Sequence, residues 1–323
     1  MRLSVCGLAV VLTGVLPSLA FAQAPWGPPK GEATVAATYQ WLDADRHLFS
    51  HLTEPTLTPL EIVRHVDYQT NSLDFGRVQS QALMLAGDVG VTNHLMVSGS
   101  LAFISPRYLG AFPHPGPADD GAFHATAQDL QVAGRYMFGT DVWAVTPFSV
   151  FTTPVADYEV LAHAAQGLKL KQLEFGASAG RILLAGGAAK GYLQGLYGYS
   201  IVERPIHDVS LNRSRAVAEA GVFFGRVTLQ GSTTWRRVHG GFEWSDIAFG
   251  THEHFEGHDQ SAATREWRWA TGVSLQVIPG ASLDVSYGDM IKGANTHNAR
   301  VLAVGWTLGF HAFGGSAIGG GFK

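Results

Sequence analysis

The chain has 323 residues, of which 46% are hydrophobic and 15% charged, with 39 glycines. Soluble domains carry about 25% charged residues, so this balance argues against an ordinary soluble enzyme and suits a protein with an apolar exterior. A formal net charge of −4 without a basic stripe excludes the usual nucleic-acid footprint.

Arg2, an uncharged apolar run and Ala20-Phe21-Ala22 predict a signal peptide over residues 1–22 and a mature chain from near Gln23. Cys6, the one cysteine, lies inside that segment, too close to the start for a convincing lipoprotein site. The mature chain is therefore expected to lack thiols, disulfides and cysteine metal sites. Pro25, Pro28 and Pro29 predict an extended periplasmic leader over residues 23–30.

Val35, Ala37, Tyr39 and Trp41 alternate with Thr34, Ala36, Thr38 and Gln40 in a first strand, followed by a long polar connector from Asp43 to about Leu73. Val78 to Gly87 reads as a second strand of unclear facing. A bulge is allowed there, because Gln79 and Gln81 share parity with Leu83 and Leu85. Gly90 to His94 turns into a strand from Leu95 to Phe103, and a loop from Pro106 to Phe123 leads to another from Asp129 to Phe138. There Asp129, Gln131 and Arg135 oppose Leu130, Val132, Tyr136 and Phe138. The strand from Val142 to Thr153 contains Pro147, which cannot donate a ladder hydrogen bond and predicts a local irregularity.

The second half repeats the pattern. Glu174 opposes Leu173 and Phe175; Arg215 and Glu219 oppose Ala216, Ala218 and Ala220; Gln230 and Arg236 oppose Leu229 and Trp235; Arg268 opposes Trp267 and Trp269; Asp284 opposes Leu283 and Val285. Asp289 to Asn298 is read as the last long loop. The final strand, Ala299 to Phe310, sets Leu302, Val304, Trp306, Leu308 and Phe310 against Val301, Ala303, Gly305, Thr307 and Gly309.

A β-sandwich uses the same alternation, but the connectors decide between the two folds. Six long and five short connections, strictly alternating, predict twelve strands with both termini at the short-turn side, as in outer-membrane barrels. Val301 to Phe322 lacks formal charge, yet its seven glycines and period of two argue against a membrane helix. The aromatic residues Tyr39, Trp41, Tyr136, Phe138, Tyr197, Tyr199, Trp235, Trp267, Trp269 and Phe310 fall toward strand ends, where interfacial girdles form. The fold expected is an all-β, transmembrane, antiparallel up-and-down β-barrel of about 12 strands over residues 31–310, with a Gly-rich tail over 311–323.

The segment Gln128 to Phe138 resembles the "GDL…Lxx+YR" strand of the outer-membrane family named for a putative role in the meta pathway of phenol degradation. Gly90-Val91-Thr92-Asn93-His94-Leu95 is similar to that family's "GVTDRL" turn, and Asn295-Thr296-His297-Asn298 resembles its last loop. This sequence departs from the pattern at Gln128, where the family has glycine, and in its histidine-rich loops. The resemblance implies a barrel and passive uptake of small hydrophobic or aromatic solutes.

Lumen-lining residues are expected to be Asp129, Gln131, Arg135, Glu174, Arg215, Glu219, Gln230, Arg236, Arg268 and Asp284. These charges either create a field that selects solutes or pair across the interior and plug it. His47, His51, His252, His254 and His258 are external-loop candidates. Imidazoles beside carboxylates can bind zinc, copper or nickel, but surface loops also accumulate polar residues, so no metal or cofactor is assigned. Protonation of these histidines is a second way to alter the loops.

Gly176-Ala177-Ser178-Ala179-Gly180 matches a nucleophile-elbow pattern, which requires a strand, a sharp turn and a helix; here it falls inside a strand, and no enzymatic activity is expected. The sequence thus points to a monomeric outer-membrane channel whose partners are membrane lipid, the barrel-assembly machinery and a small solute. The rival readings are a closed structural or surface-binding barrel and an outer-membrane hydrolase.

Overall fold

The computed structural model describes residues 24–51, 66–67, 72–73, 76–110, 118–160, 163–183, 189–205, 208–244 and 261–313, and the statements below concern these residues. Twelve long strands form the wall: β1 (Glu32–Leu48), β2 (Arg77–Gly90), β3 (Leu95–Leu109), β4 (Thr126–Tyr136), β5 (Trp143–Pro154) and β6 (Gln172–Ile182) make one half. The other half is β7 (Ala189–Val202), β8 (Arg213–Phe224), β9 (Val227–Val238), β10 (Arg265–Ile278), β11 (Ala281–Ala294) and β12 (Thr296–His311). Each pairs antiparallel with its neighbours in sequence, and β12 closes on β1 from Glu32↔His311 to Leu48↔Thr296. Closure leaves no open sheet edge, so the backbone polar groups of the wall are satisfied within it, as hydrocarbon requires. Two short strands, Val66–Asp67 and Ser72–Leu73, pair with each other, and the second also pairs with the end of β1.

The outer and inner faces follow the parity of the sequence. Val35, Tyr39, Leu83, Val132, Phe175, Leu229, Val273, Val285, Leu302 and Trp306 are exposed on the outside. Their neighbours in sequence point into a buried interior, so a solvent-excluding core lies inside the wall and the large apolar residues lie outside. That inversion is what a lipid-facing barrel demands. Aromatic side chains mark both rims of the outer band: Tyr136, Phe138, Trp143 and Phe310 at the short-turn end, and Tyr39, Tyr197, Tyr199, Trp235 and Trp267 toward the long-loop end.

Two sequence-based expectations change. β2 pairs with β1 without any register shift; Gln79 and Gln81 share the outward face because both lie beyond the apolar band, where Gln81 accepts a hydrogen bond from the Tyr39 hydroxyl at 3.0 Å. The last long connector is strand rather than loop: β11 and β12 pair with each other only as far as Gly288↔Val301, then run on along β10 and β1 to Asn295, whose φ of 51° makes the turn. Asparagine tolerates this left-handed conformation better than most residues do. The strands are 11 to 17 residues long, mostly longer than the roughly 9–11 needed to span a membrane, and the excess hid these strand ends in a polar sequence. Pro147 does produce its irregularity, since the β4–β5 ladder breaks between Arg135↔Phe148 and Phe138↔Val145 and resumes in the same register.

Candidate pore and its two covers

The inward side chains divide the wall into two arcs. From β12 through β3, with β5, they are largely uncharged: small or apolar residues such as Ala36, Leu42, Val78, Ala82, Ile104, Val150 and Val301 alternate with Thr38, Gln40, Ser80, Ser98 and Thr146, and Asp88 is the acid. From β6 to β11 they carry charge, and most of these charges have side-chain partners, Arg213 Nε excepted. Arg215 donates to Glu174 at 2.7 Å. Arg236 and Arg268 both reach Glu266, at 3.2 and 3.5 Å, and Arg268 also donates to the Ala299 carbonyl. Glu219 accepts from the Tyr192 hydroxyl at 2.7 Å and from Gln194 at 2.8 Å. Asp284 accepts from Ser282 and Thr307 at 3.3 and 3.2 Å. The two acids deeper in the barrel therefore have neutral donors, whereas those near the mouth have arginines.

The base of the lumen is occupied by the segment Ala24–Gly31. Arg135, almost fully buried, bonds Asp88 at 2.9 Å and the Ala24 carbonyl at 2.9 Å. Thr146 donates to the Pro25 carbonyl at 2.6 Å, and the Trp26 indole donates to the Thr140 carbonyl at 3.1 Å. Lys30 then bridges to Gly90 in parallel. Glycines make the space: a Cβ at Gly180 would come within 2.6 Å of the Trp26 ring, and one at Gly90 within 2.1 Å of the Pro29 carbonyl oxygen. The prolines keep the segment extended and leave few unmet donors, which allows it to lie against the wall.

The mouth is covered by inward-folded loops. His163, Ala164, Ala165 and Leu168 are buried within it, although they belong to a connector. Asp119 holds this connector through both carboxylate oxygens, which accept from the backbone N–H groups of His163 and Ala164 at 2.9 and 2.8 Å. Tyr158 donates to Asp129 at 2.5 Å, and Gln128 donates to the Gln166 carbonyl at 2.8 Å. Ala118 and Ala164 pack with Leu42, Val78, Ile104, Tyr108 and Val301, while Leu168 and Leu170 pack with Val202 and Leu211. Burial pushes the Asp119 carboxyl up to about 6 against the opposing pull of the two N–H donors.

Asn295 joins the mouth on its other side. Its side chain accepts from the Trp244 backbone at 3.1 Å and donates to Glu243 at 2.7 Å and to the Ala263 carbonyl at 3.0 Å. Burial would raise the Glu243 carboxyl, but donors including Asn295 and the Arg265 charge hold it below its usual range.

All ten candidate lumen residues lie on inward-facing parity. Asp129, Gln131 and Arg135 are on β4, Glu174 on β6, Arg215 and Glu219 on β8, Gln230 and Arg236 on β9, Arg268 on β10 and Asp284 on β11. Gln131 accepts from Ser100 at 3.4 Å, and Gln230 lies 3.5 Å from the Tyr192 hydroxyl. His47 is not in a loop: β1 extends through it past an irregularity after Ala44, and its buried ring meets His297 Nε2 to Nε2 at 2.8 Å. His51 is exposed beside the Ser50 hydroxyl. His252, His254 and His258 lie outside the described residues.

Ser178 is buried within β6 with its hydroxyl 3.4 Å from the Thr146 carbonyl, so the nucleophile-elbow context is absent. Sequence reasoning missed Asp88 and Glu266. Both occupy the inward parity of their strands, and counting that parity to the strand ends would have found them. It also missed Arg213, whose Nε is buried without a hydrogen-bond partner.

No family model matches this sequence, and no curated protein matches it. The structure is similar to that of an outer membrane channel from Pseudomonas putida F1, with a TM-score of 0.63 and 12% identity over 92% of this chain and 100% of that one. Looser similarity extends to the β domain of the Bordetella autotransporter BrkA, at TM-score 0.47 and 10% identity over 87% of this chain and 100% of that one. The KdgM porin in complex with disordered oligogalacturonate gives TM-score 0.44 and 7% identity over 86% and 99%. At such identities the likeness is one of fold: a closed, twelve-stranded antiparallel barrel resembling outer-membrane channels.

Proposed function

We propose that this protein is a gated, passive outer-membrane channel for small amphipathic solutes, with its loops external and its short turns periplasmic. The observation that carries this reading is the division of the inner wall into a largely uncharged arc, richer in apolar and small side chains, and a charged arc. A solute with an aromatic or aliphatic body and one polar group can slide with its body against the first and its polar end exchanging partners along the second. Uptake of hydrophobic or aromatic solutes, which the sequence resemblance implies, agrees with the largely uncharged arc. The charged arc adds the requirement for a polar group, because an entirely apolar solute would leave desolvated charges without compensation.

The covers make the channel gated. Passage requires the loop containing His163 to lift and the segment Ala24–Gly31 to move aside, and both are held by noncovalent contacts. A closed scaffold is the second reading, favoured by the Arg215–Glu174 and Arg236–Glu266–Arg268 pairings inside the barrel.

Swelling of liposomes containing the folded protein separates the two. A channel is expected to pass small aromatic carboxylates faster than a neutral sugar of similar size. Absence of permeation by any small solute, from barrel that is demonstrably folded and inserted, would leave the scaffold.

A further inference from the structure

On the outer surface of the long-loop end, Arg237 on β9 and Arg265 on β10 are directly opposed partners in the ladder. Like charges in that position destabilise a sheet, so the pairing calls for an anion. The next outward pair toward the membrane is Trp235↔Trp267, both exposed, and Lys292 on β11 is the register partner of Trp267. Above these aromatics lies a recess of about 420 Å³ lined by Arg237, His239, Gly240, Glu243, Ala263 and Arg265. Glu243 is the acid there; it is engaged by Arg265 and by Asn295. Arg237 has neither a hydrogen bond nor an ion pair among the described residues.

The adjoining arc of the same rim, from Asp289 at the edge of β11 through β12 and β1 to β3, is different. There Asp43 takes Arg77 at 2.5 Å and Gln79 at 3.1 Å, Arg107 bonds Gln79 at 2.7 Å, and Arg300 lies 3.8 Å from both Asp45 and Asp289. Each of the three arginines there has a partner: Arg77 has Asp43, Arg107 has Gln79 and the Phe123 ring, and Arg300 lies between two acids. In the β9–β11 sector cations outnumber acids immediately beyond an aromatic girdle, the level at which lipid headgroups sit.

We propose that Arg237, Arg265 and Lys292 bind the phosphate of an outer-leaflet glycolipid, a phosphorylated sugar carrying acyl chains, with Trp235 and Trp267 against the chains. Guanidinium groups bind phosphate oxygens through paired, charge-assisted hydrogen bonds, and the girdle fixes the depth of the headgroup. This site rests on the outer-membrane orientation proposed above and not on solute conduction.

The test uses the full-length protein in detergent and native mass spectrometry with lipid A bearing both phosphates, the same lipid with its phosphates removed, and inorganic phosphate as competitor. The phosphorylated lipid should be retained, and the dephosphorylated lipid should bind roughly tenfold more weakly or worse. The double variant Arg237→Gln, Arg265→Gln should lose a comparable factor, Arg237→Lys should keep part of the affinity, and Arg300→Gln on the other arc should match the wild type.

Equal binding of the two lipids, or a double variant indistinguishable from wild type, would overturn the site. Complete displacement by equimolar inorganic phosphate would overturn the lipid assignment and leave a simple anion site. A protein that binds the phosphorylated lipid but conducts nothing would refute the channel while leaving this proposal intact.

Discussion

The two ends of the barrel are covered by opposite physical strategies. At the base a single short segment is pinned by Arg135, Thr146 and Thr140, with one buried ion pair at the centre. At the mouth the cover is spread over several loops, two apolar clusters and many hydrogen bonds of ordinary strength. A buried ion pair concentrates energy, because removing one partner strands the other in a poorly solvated place. Dispersed contacts each contribute about 1 kcal/mol net, and their loss is gradual. The base should therefore open with one substitution, whereas the mouth should loosen by degrees.

Arg135→Ala breaks that contrast most severely. It leaves Asp88 unpaired and frees the Ala24 carbonyl, at a cost of ~3–5 kcal/mol for removing one partner of a buried pair. The expected outcomes are cleavage of the segment by protease added at the periplasmic side and a larger conductance. Gly180→Val should displace Trp26 with no change of charge, which distinguishes loss of the plug from loss of the ion pair; the readout is Trp26 fluorescence against a Trp26→Phe control.

At the mouth, Asn295→Ala removes three hydrogen bonds and places a Cβ-bearing residue without a polar side chain at φ 51°. We expect a loss of ~2–4 kcal/mol from those bonds and the left-handed turn, measured as faster hydrogen exchange at Trp244 and Ala263 with the transmembrane wall unaffected.

A smaller effect sharpens the comparison through pH. The docked Asp119 carboxyl holds its proton up to about 6, whereas an exposed aspartate releases it near ~3.9. The lid therefore binds more protons when closed than when open between those values. Its contribution to closure is greatest below about pH 4, falls as pH rises toward 6 and is flat above. Open probability should rise over that window by the equivalent of ~1–2 kcal/mol, discounted for residual solvation, and Asp119→Asn should remove that component. The smallest expected effect is that of Arg213→Gln, which removes a positive charge interacting with Glu174, Asp129 and Glu266 and should change ion selectivity measured by reversal potential.

The wall was legible in the sequence because lipid and lumen impose a period of two, and because residues such as Arg135, Glu174, Arg268 and Asp284 cannot face hydrocarbon. The same rule stops working where strands rise beyond the membrane. Gln79 and Gln81 face outward there, and the stretch around Asn295 looks like a loop because it mixes polar and apolar residues without a clean alternation. Pairing was less legible than facing. Asp88 lies 47 residues from Arg135 and meets it only across the intervening β3, while His47 lies 250 residues from His297 and meets it only when β12 closes on β1. The path of Ala24–Gly31 into the base had a partial signal in its prolines, which dictate extension but not a destination.

Planar-bilayer conductance of the wild-type protein beside Arg135→Ala tests the central claim most directly. The account predicts small, infrequent steps for the wild type and larger, more persistent steps for the variant, both altered by an aromatic carboxylate. Electrical silence from both proteins, each folded and inserted, would contradict it and establish a permanently filled barrel.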